Sequence, residues 1–159
     1  MRNQSPNKKR APNRNYCEAR IVMFVQSIGM KAPVIALLTN DHNLEECVAQ
    51  VLLRTGGLSH RAQSANDVLD LVCTIGQNLD LVVIDCEEEP DGLTLLDAIS
   101  TRRRGFPVIV ITGPGEEDME ALVYANGAAV CLSKPVSAPQ LAEAMKQCHC
   151  SQPHLIHVD

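Results

Sequence analysis

Tryptophan is absent from the 159 residues, and aromatic side chains make up only 3% of them. A core must therefore be aliphatic, and base stacking on aromatic rings is not an available mode of nucleic-acid recognition. No apolar run approaches the ~20 residues that span a bilayer, so a membrane-crossing helix is not expected. The stretch Ile21–Val25 is shorter than the apolar region of a secretion signal, and no small-residue cleavage site follows it, which points to a cytoplasmic protein. Residues 39–43 contain no glycine, so the phosphate-cradling loop of a nucleotide binder is missing where an open α/β sheet would carry it. The histidines stand at 42, 60, 149, 154 and 157, and no Ser-His-Asp arrangement is evident among them. His42 alone falls near the expected pocket, and it reads as a solvated loop residue.

Cysteine is not scarce, but its pattern excludes a disulfide framework. The seven Cys are odd in number, scattered, and mostly set inside apolar patterns, as reduced core thiols are. Cys148-His149-Cys150 resembles a fragment of a zinc site, yet only His154 and His157 follow and no paired motif completes it.

What is present fits one globular domain with tails: 45% hydrophobic and 21% charged residues over a length able to bury a core. The net charge of -5 conceals an asymmetry. Residues 1–29 carry six basic side chains against Glu18 alone, whereas residues 30–159 carry eight basic and eighteen acidic ones. The acidic body disfavours nucleic acid, and the basic tail reads as a solvated extension. We divide the chain into an N-terminal extension (1–32), a folded domain (33–150) and a C-terminal tail (151–159). Met30, just ahead of the first expected strand, is an alternative start.

From residue 33 onward strand-like and helix-like segments alternate five times. Strands are expected over 34–39, 58–62, 79–85, 106–111 and 127–132, the second nearer an edge because His60 and Arg61 interrupt it. The helices between them have N-caps expected at Asn43 (with Glu46 at N3), Ser64 and Ser137 (with Gln140 at N3). The third starts near Asp91-Gly92 and ends in Arg102–Arg104; the fourth opens on Glu116, Glu117 and Asp118, each matched to the helix dipole. Gly56-Gly57 stops the first. This alternation predicts a flavodoxin-like, doubly wound five-stranded parallel sheet of order 2-1-3-4-5 with helices on both faces.

In such a sheet every strand delivers its C-terminal end to one rim. Asp85 ends Leu81–Ile84, Thr112 ends Val108–Ile111, and Lys134 follows Ala129–Ser133. A carboxylate, a hydroxyl and an ammonium on that rim suit a phosphoryl group: a nucleophile, a hydrogen-bond donor and a charge clamp.

On these residues the chain resembles the receiver domain of two-component response regulators over about residues 33–148. The matching pieces are Leu-Val-Val-Ile-Asp at 81–85, Pro-Asp-Gly at 90–92, Thr112-Gly113 and Ser-Lys-Pro at 133–135, with Lys134 placed 22 residues beyond Thr112. The resemblance implies that Asp85 accepts a phosphoryl group from a sensor histidine kinase or a phosphotransfer protein, with Thr112 and Lys134 binding it. It implies a phosphoacceptor in signalling rather than an enzyme, and Mg²⁺ as cofactor. It also implies an unnamed downstream protein partner, and a homodimer through the face of helix 4, strand 5 and helix 5. With no output domain expected after residue 150, the effect would pass through that partner.

The pattern departs from the family at four places. Two adjacent acidic residues normally end strand 1 and hold the Mg²⁺; here Thr39 and Asn40 stand there and Asp41 comes one residue late. The expected metal set is therefore a weakened one of Asn40, Asp41 and Asp85. The loop after Asp85 is one residue shorter than usual and acidic, with Glu87–Glu89 either a replacement ligand source or a solvated run. Cys131 stands where receivers usually carry a switching aromatic. These departures sustain an alternative: a degenerate pseudo-receiver that works as a phosphorylation-independent interaction module. A small flavodoxin-like enzyme or nucleotide binder is the third class, opposed by the missing glycine loop.

Overall fold

The computed structural model describes residues 32–75 and 78–150, the last two by backbone only. Five strands, β1 (Val34–Leu38), β2 (Leu58–Arg61), β3 (Leu81–Asp85), β4 (Val108–Thr112) and β5 (Val130–Ser133), pair in parallel in the order β2-β1-β3-β4-β5. Five helices connect and cover them: α1 (His42–Thr55), α2 (Ala65–Thr74), α3 (Gly92–Arg102), α4 (Glu117–Ala125) and α5 (Ala138–Cys150).

Period-two alternation along continuously apolar strands divides the core in two. Ile35, Leu37, Val83, Ile109 and Ile111 face α1 and α5, meeting Leu44, Val48, Val51, Leu141 and Met145. Ala36, Leu38, Val82, Ile84, Val108 and Val110 face the opposite way, onto Val68, Val72, Leu95, Leu96, Ile99 and Val123 of α2, α3 and α4. All five residues of β3 and all five of β4 are buried, whereas β2 is largely exposed, as its polar interruption and edge position require.

Two of the three expected caps are in place. Ser64 accepts from the Asp67 N–H, and Ser137 and Gln140 bond reciprocally in a capping box. The first is corrected: α1 is capped by Asp41, whose Oδ1 accepts from Asn43 N at 2.9 Å, so the helix begins two residues earlier than expected. Gly56, at φ 72°, closes α1 in the left-handed conformation and donates to the Leu52 carbonyl. The strands β3, β4 and β5 begin later than expected, because residues 79–80, 106–107 and 127–129 lead into the sheet as irregular chain. No helix among the described residues is long and apolar enough to cross a membrane. The N-terminal extension to residue 31 and the tail from 151 lie outside the described residues.

Candidate functional site at the C-terminal rim of the sheet

Strand order reverses between β1 and β3, so the crevice beyond their C-terminal ends is where this topology places a ligand. Asp85 closes β3 there with its side chain wholly buried. A buried carboxylate needs partners on every oxygen, and Asp85 has them. Its Oδ2 accepts from Thr39 Oγ1 at 2.6 Å and from the Lys134 ammonium at 2.9 Å; its Oδ1 accepts from the Glu87 N–H at 3.1 Å.

Lys134 sits just past β5 in the loop to α5, tied to β4 by its N–H to the Thr112 carbonyl at 2.9 Å. Its ammonium meets three carboxylates: Asp41 at 3.0 Å, Asp85 at 2.9 Å and Glu87 at 2.9 Å. Burial alone would lower the Lys134 pKa; hydrogen bonds from Glu87, Asp85 and Asp41 more than reverse this, and the pKa is raised. The same contact acts on the other partner. The Lys134 hydrogen bond is the largest of the influences that hold Asp41 below the ordinary carboxylate value.

Thr39 shows how the site manages without the usual acidic pair. A carboxylate at this buried position would repel Asp85, whereas the threonine hydroxyl donates to it and accepts from the Asp41 N–H at 3.0 Å. Asn40 is exposed. Among the described residues no three His, Cys, Asp or Glu side chains form a group able to hold a metal ion. Asp41, Asp85 and Glu87 converge on an ammonium instead. With all three carboxylates satisfied by Lys134, the residues as arranged do not fit a Mg²⁺ ion.

The other two candidates lie on the same rim with different orientations. Thr112 ends β4, but its hydroxyl is turned to the Leu132 carbonyl at 3.4 Å. Cys131 is half-buried, and its thiol is pushed up by burial, with the Thr112 hydroxyl partly offsetting this. Its N–H donates to the hydroxyl of Tyr124 on α4 at 3.1 Å. An aromatic therefore does adjoin this part of β5, arriving from the helix rather than the strand. Tyr124 was not anticipated; its rarity, one of two tyrosines in the chain, is the only sequence signal it gives.

Glu87 is the second unanticipated contact. The sequence offers Glu87–Glu89 as replacement metal ligands or a solvated run, and the structure separates them by pairing: Glu87, though exposed like Glu88, turns its carboxylate onto Lys134. Gly113 leaves room for this turn, since a Cβ there would stand 3.1 Å from the Glu87 carboxyl. Gly92 is more tightly constrained, since a Cβ there would fall 2.5 Å from Cys86 Sγ, and it lets the short loop fold onto α3. A cleft of about 390 Å³ opens beside this cluster, lined by Asp41, Asn43, Glu87, Pro114, Lys134 and Val136 among others.

With this geometry in hand, comparison with known proteins decides the family. The model of the response regulator receiver domain matches residues 35–146. The chain belongs to the receiver domain family. Solved structures agree on the fold. The receiver domain of NtrX from Brucella abortus is similar at 24% identity and a TM-score of 0.66, over 74% of this chain and 99% of that one. FixJ-N aligns at 24% identity and a TM-score of 0.66, over 79% and 100% of the two chains. A receiver domain protein from Clostridium thermocellum gives 24% and 0.64, over 73% and 93%. A search of curated proteins finds no match.

Proposed function

We propose that this receiver domain accepts a phosphoryl group on Asp85 from a phosphohistidine, borne by a sensor histidine kinase or a phosphotransfer protein in the cytoplasm. It then signals through contacts with a downstream protein. The observation that carries this reading is the 2.9 Å pairing of the Asp85 carboxylate with a Lys134 ammonium that its surroundings keep protonated. In the transfer an Asp85 oxygen attacks phosphorus, a P–O bond forms, and the P–N bond breaks. The imidazole nitrogen keeps the electron pair and takes a proton. Oδ1, with a single backbone partner against two side-chain partners on Oδ2, is the less encumbered nucleophile. Lys134 offsets the charge gathered on the transferred group, and Thr112 supplies a hydroxyl once it turns from the Leu132 carbonyl. Positioning and charge stabilisation are most of what phosphoryl transfer asks of a protein.

A second reading has its own support. The donor set around Asp85 lacks a metal cage, and the Asp85 side chain is fully enclosed. Both suit a pseudo-receiver that presents one conformation to its partner without phosphorylation. Incubation with acetyl phosphate in buffer containing Mg²⁺, followed by intact-mass analysis, separates the two. The first reading expects an added mass of one phosphoryl group, absent in Asp85→Asn. No adduct on the wild-type chain or on any folded variant that keeps Asp85 would remove it in favour of the second.

A further inference from the structure

Resting on the phosphoacceptor reading, the geometry points to Glu87 as a resident competitor for the phosphoryl position. It would hold the site closed until an incoming phosphoryl group displaces it. A transferred phosphoryl group needs hydrogen-bond donors and a cation beside Asp85. Each such group on this rim already has an acceptor from the chain itself. The Lys134 ammonium is shared by Glu87, Asp85 and Asp41. The Gly113 N–H donates to Glu116 Oε2 at 2.9 Å, the Thr112 hydroxyl to the Leu132 carbonyl, and the Glu87 N–H to Asp85 Oδ1.

Among these acceptors Glu87 is the one placed to obstruct. Its carboxylate lies between Lys134 and the Gly113 backbone, close enough that a Cβ on Gly113 would meet it at 3.1 Å. It comes from the residue whose N–H holds Asp85 Oδ1, so the carboxylate and the nucleophile are tied to the same short loop. Its side chain is 38% exposed, so it can swing out into water without disturbing the core. The alternative is that a carboxylate in the phosphoryl position acts as an activating mimic. The Thr112 hydroxyl argues against that: it bonds the Leu132 carbonyl and not Glu87, so the anion sits in place without engaging the switch. The competition is electrostatic as well as steric, because two anions cannot share one ammonium without repulsion.

The test follows the rate of Asp85 phosphorylation by acetyl phosphate in the full chain. In this reaction a P–O bond to Asp85 forms and acetate leaves with its electron pair. Glu87→Gln keeps the size and removes the charge, and is expected to speed adduct formation at least about tenfold, equivalent to about 1.4 kcal/mol of barrier. Gly113→Ala, which pushes the carboxylate aside, is expected to move the rate in the same direction by less. Glu87→Asp, which keeps the anion, is expected to stay near wild type. Glu88→Gln makes the same change in net charge at an exposed neighbour and is expected to leave the rate within about twofold, while melting curves check that each variant is folded. A wild-type adduct with no acceleration in Glu87→Gln overturns the inference and leaves the phosphoacceptor reading standing. Equal acceleration by Glu88→Gln overturns it too, as a general charge effect. An adduct that appears only in Glu87→Gln supports it and shows Asp85 competent. No adduct in any folded variant overturns both.

Discussion

The two sides of the rim follow different logics. On the β4–β5 side, Thr112, Gly113 and Lys134 are the residues on which the chain resembles the receiver family. On the β1–β3 side, a hydroxyl at Thr39 and an amide at Asn40 stand where the family places two carboxylates. The difference is one of charge, and the rest of the site adjusts to it. Thr39 donates a proton to Asp85 where an acid would have needed a cation between them. Asp41, one position along, and Glu87, across the crevice, supply carboxylates that a single ammonium satisfies. The β4–β5 side thus serves the β1–β3 side: Lys134 is the one cation among the described residues paired with all three.

Removing that cation should produce the largest effect. Lys134→Met leaves three carboxylates together, one wholly buried, and is expected to cost about 3–5 kcal/mol of stability, as loss of one partner of a buried ion pair does. Urea denaturation gives the value directly. If the two sides are coupled as described, Lys134→Met made in an Asp85→Asn background should cost clearly less. Equal costs in both backgrounds would mean that Asp85 does not depend on this ammonium. Thr39→Val comes next. It keeps the shape, removes the 2.6 Å donor to a buried carboxylate, and is expected to cost about 1–3 kcal/mol. A neutral Thr39→Val would mean that the altered side has not replaced the missing acids with a hydrogen bond.

The same contrast marks what was legible in the sequence. The fold was, because β3 and β4 are uninterrupted aliphatic runs ending in a single polar residue, and an aliphatic strand between turns has few other uses. The place of Asp85, Thr112 and Lys134 on one rim followed from parallel topology alone. What was hidden depends on contacts between distant segments. Asn43 and Asp41 are equally good caps locally; Asp41 is selected by the β5–α5 loop, whose Lys134 holds its other oxygen. The inward turn of Glu87 is drawn by Lys134 and given room by Gly113, neither of which is near it in sequence. The direction of the Thr112 hydroxyl and the approach of Tyr124 to β5 are likewise settled by packing between β4, β5 and α4.

The smallest expected effect isolates charge on the altered side. Asp41 both caps α1 and pairs with Lys134, and asparagine caps a helix about as well as aspartate. Asp41→Asn therefore removes the ion pair and keeps the cap. The pair is partly exposed, so at neutral pH the loss should be about 0.5–1 kcal/mol. Its pH dependence has a definite sign. Lys134 holds the Asp41 carboxyl below the ordinary value of 3.8, so the pair's contribution is complete above pH 3.8 and fades as pH falls through the lower folded value. On the alkaline side the raised Lys134 pKa keeps the contribution intact up to the ordinary lysine value of 10.5, and loses it only as pH climbs through the higher folded one. Urea midpoints of wild type and Asp41→Asn should thus differ by a constant amount at pH 5 and 7 and converge below pH 3.8. A gap that stays open in acid would assign the loss to the cap. The two sides of the rim would then be joined through Asp85 and Glu87 alone.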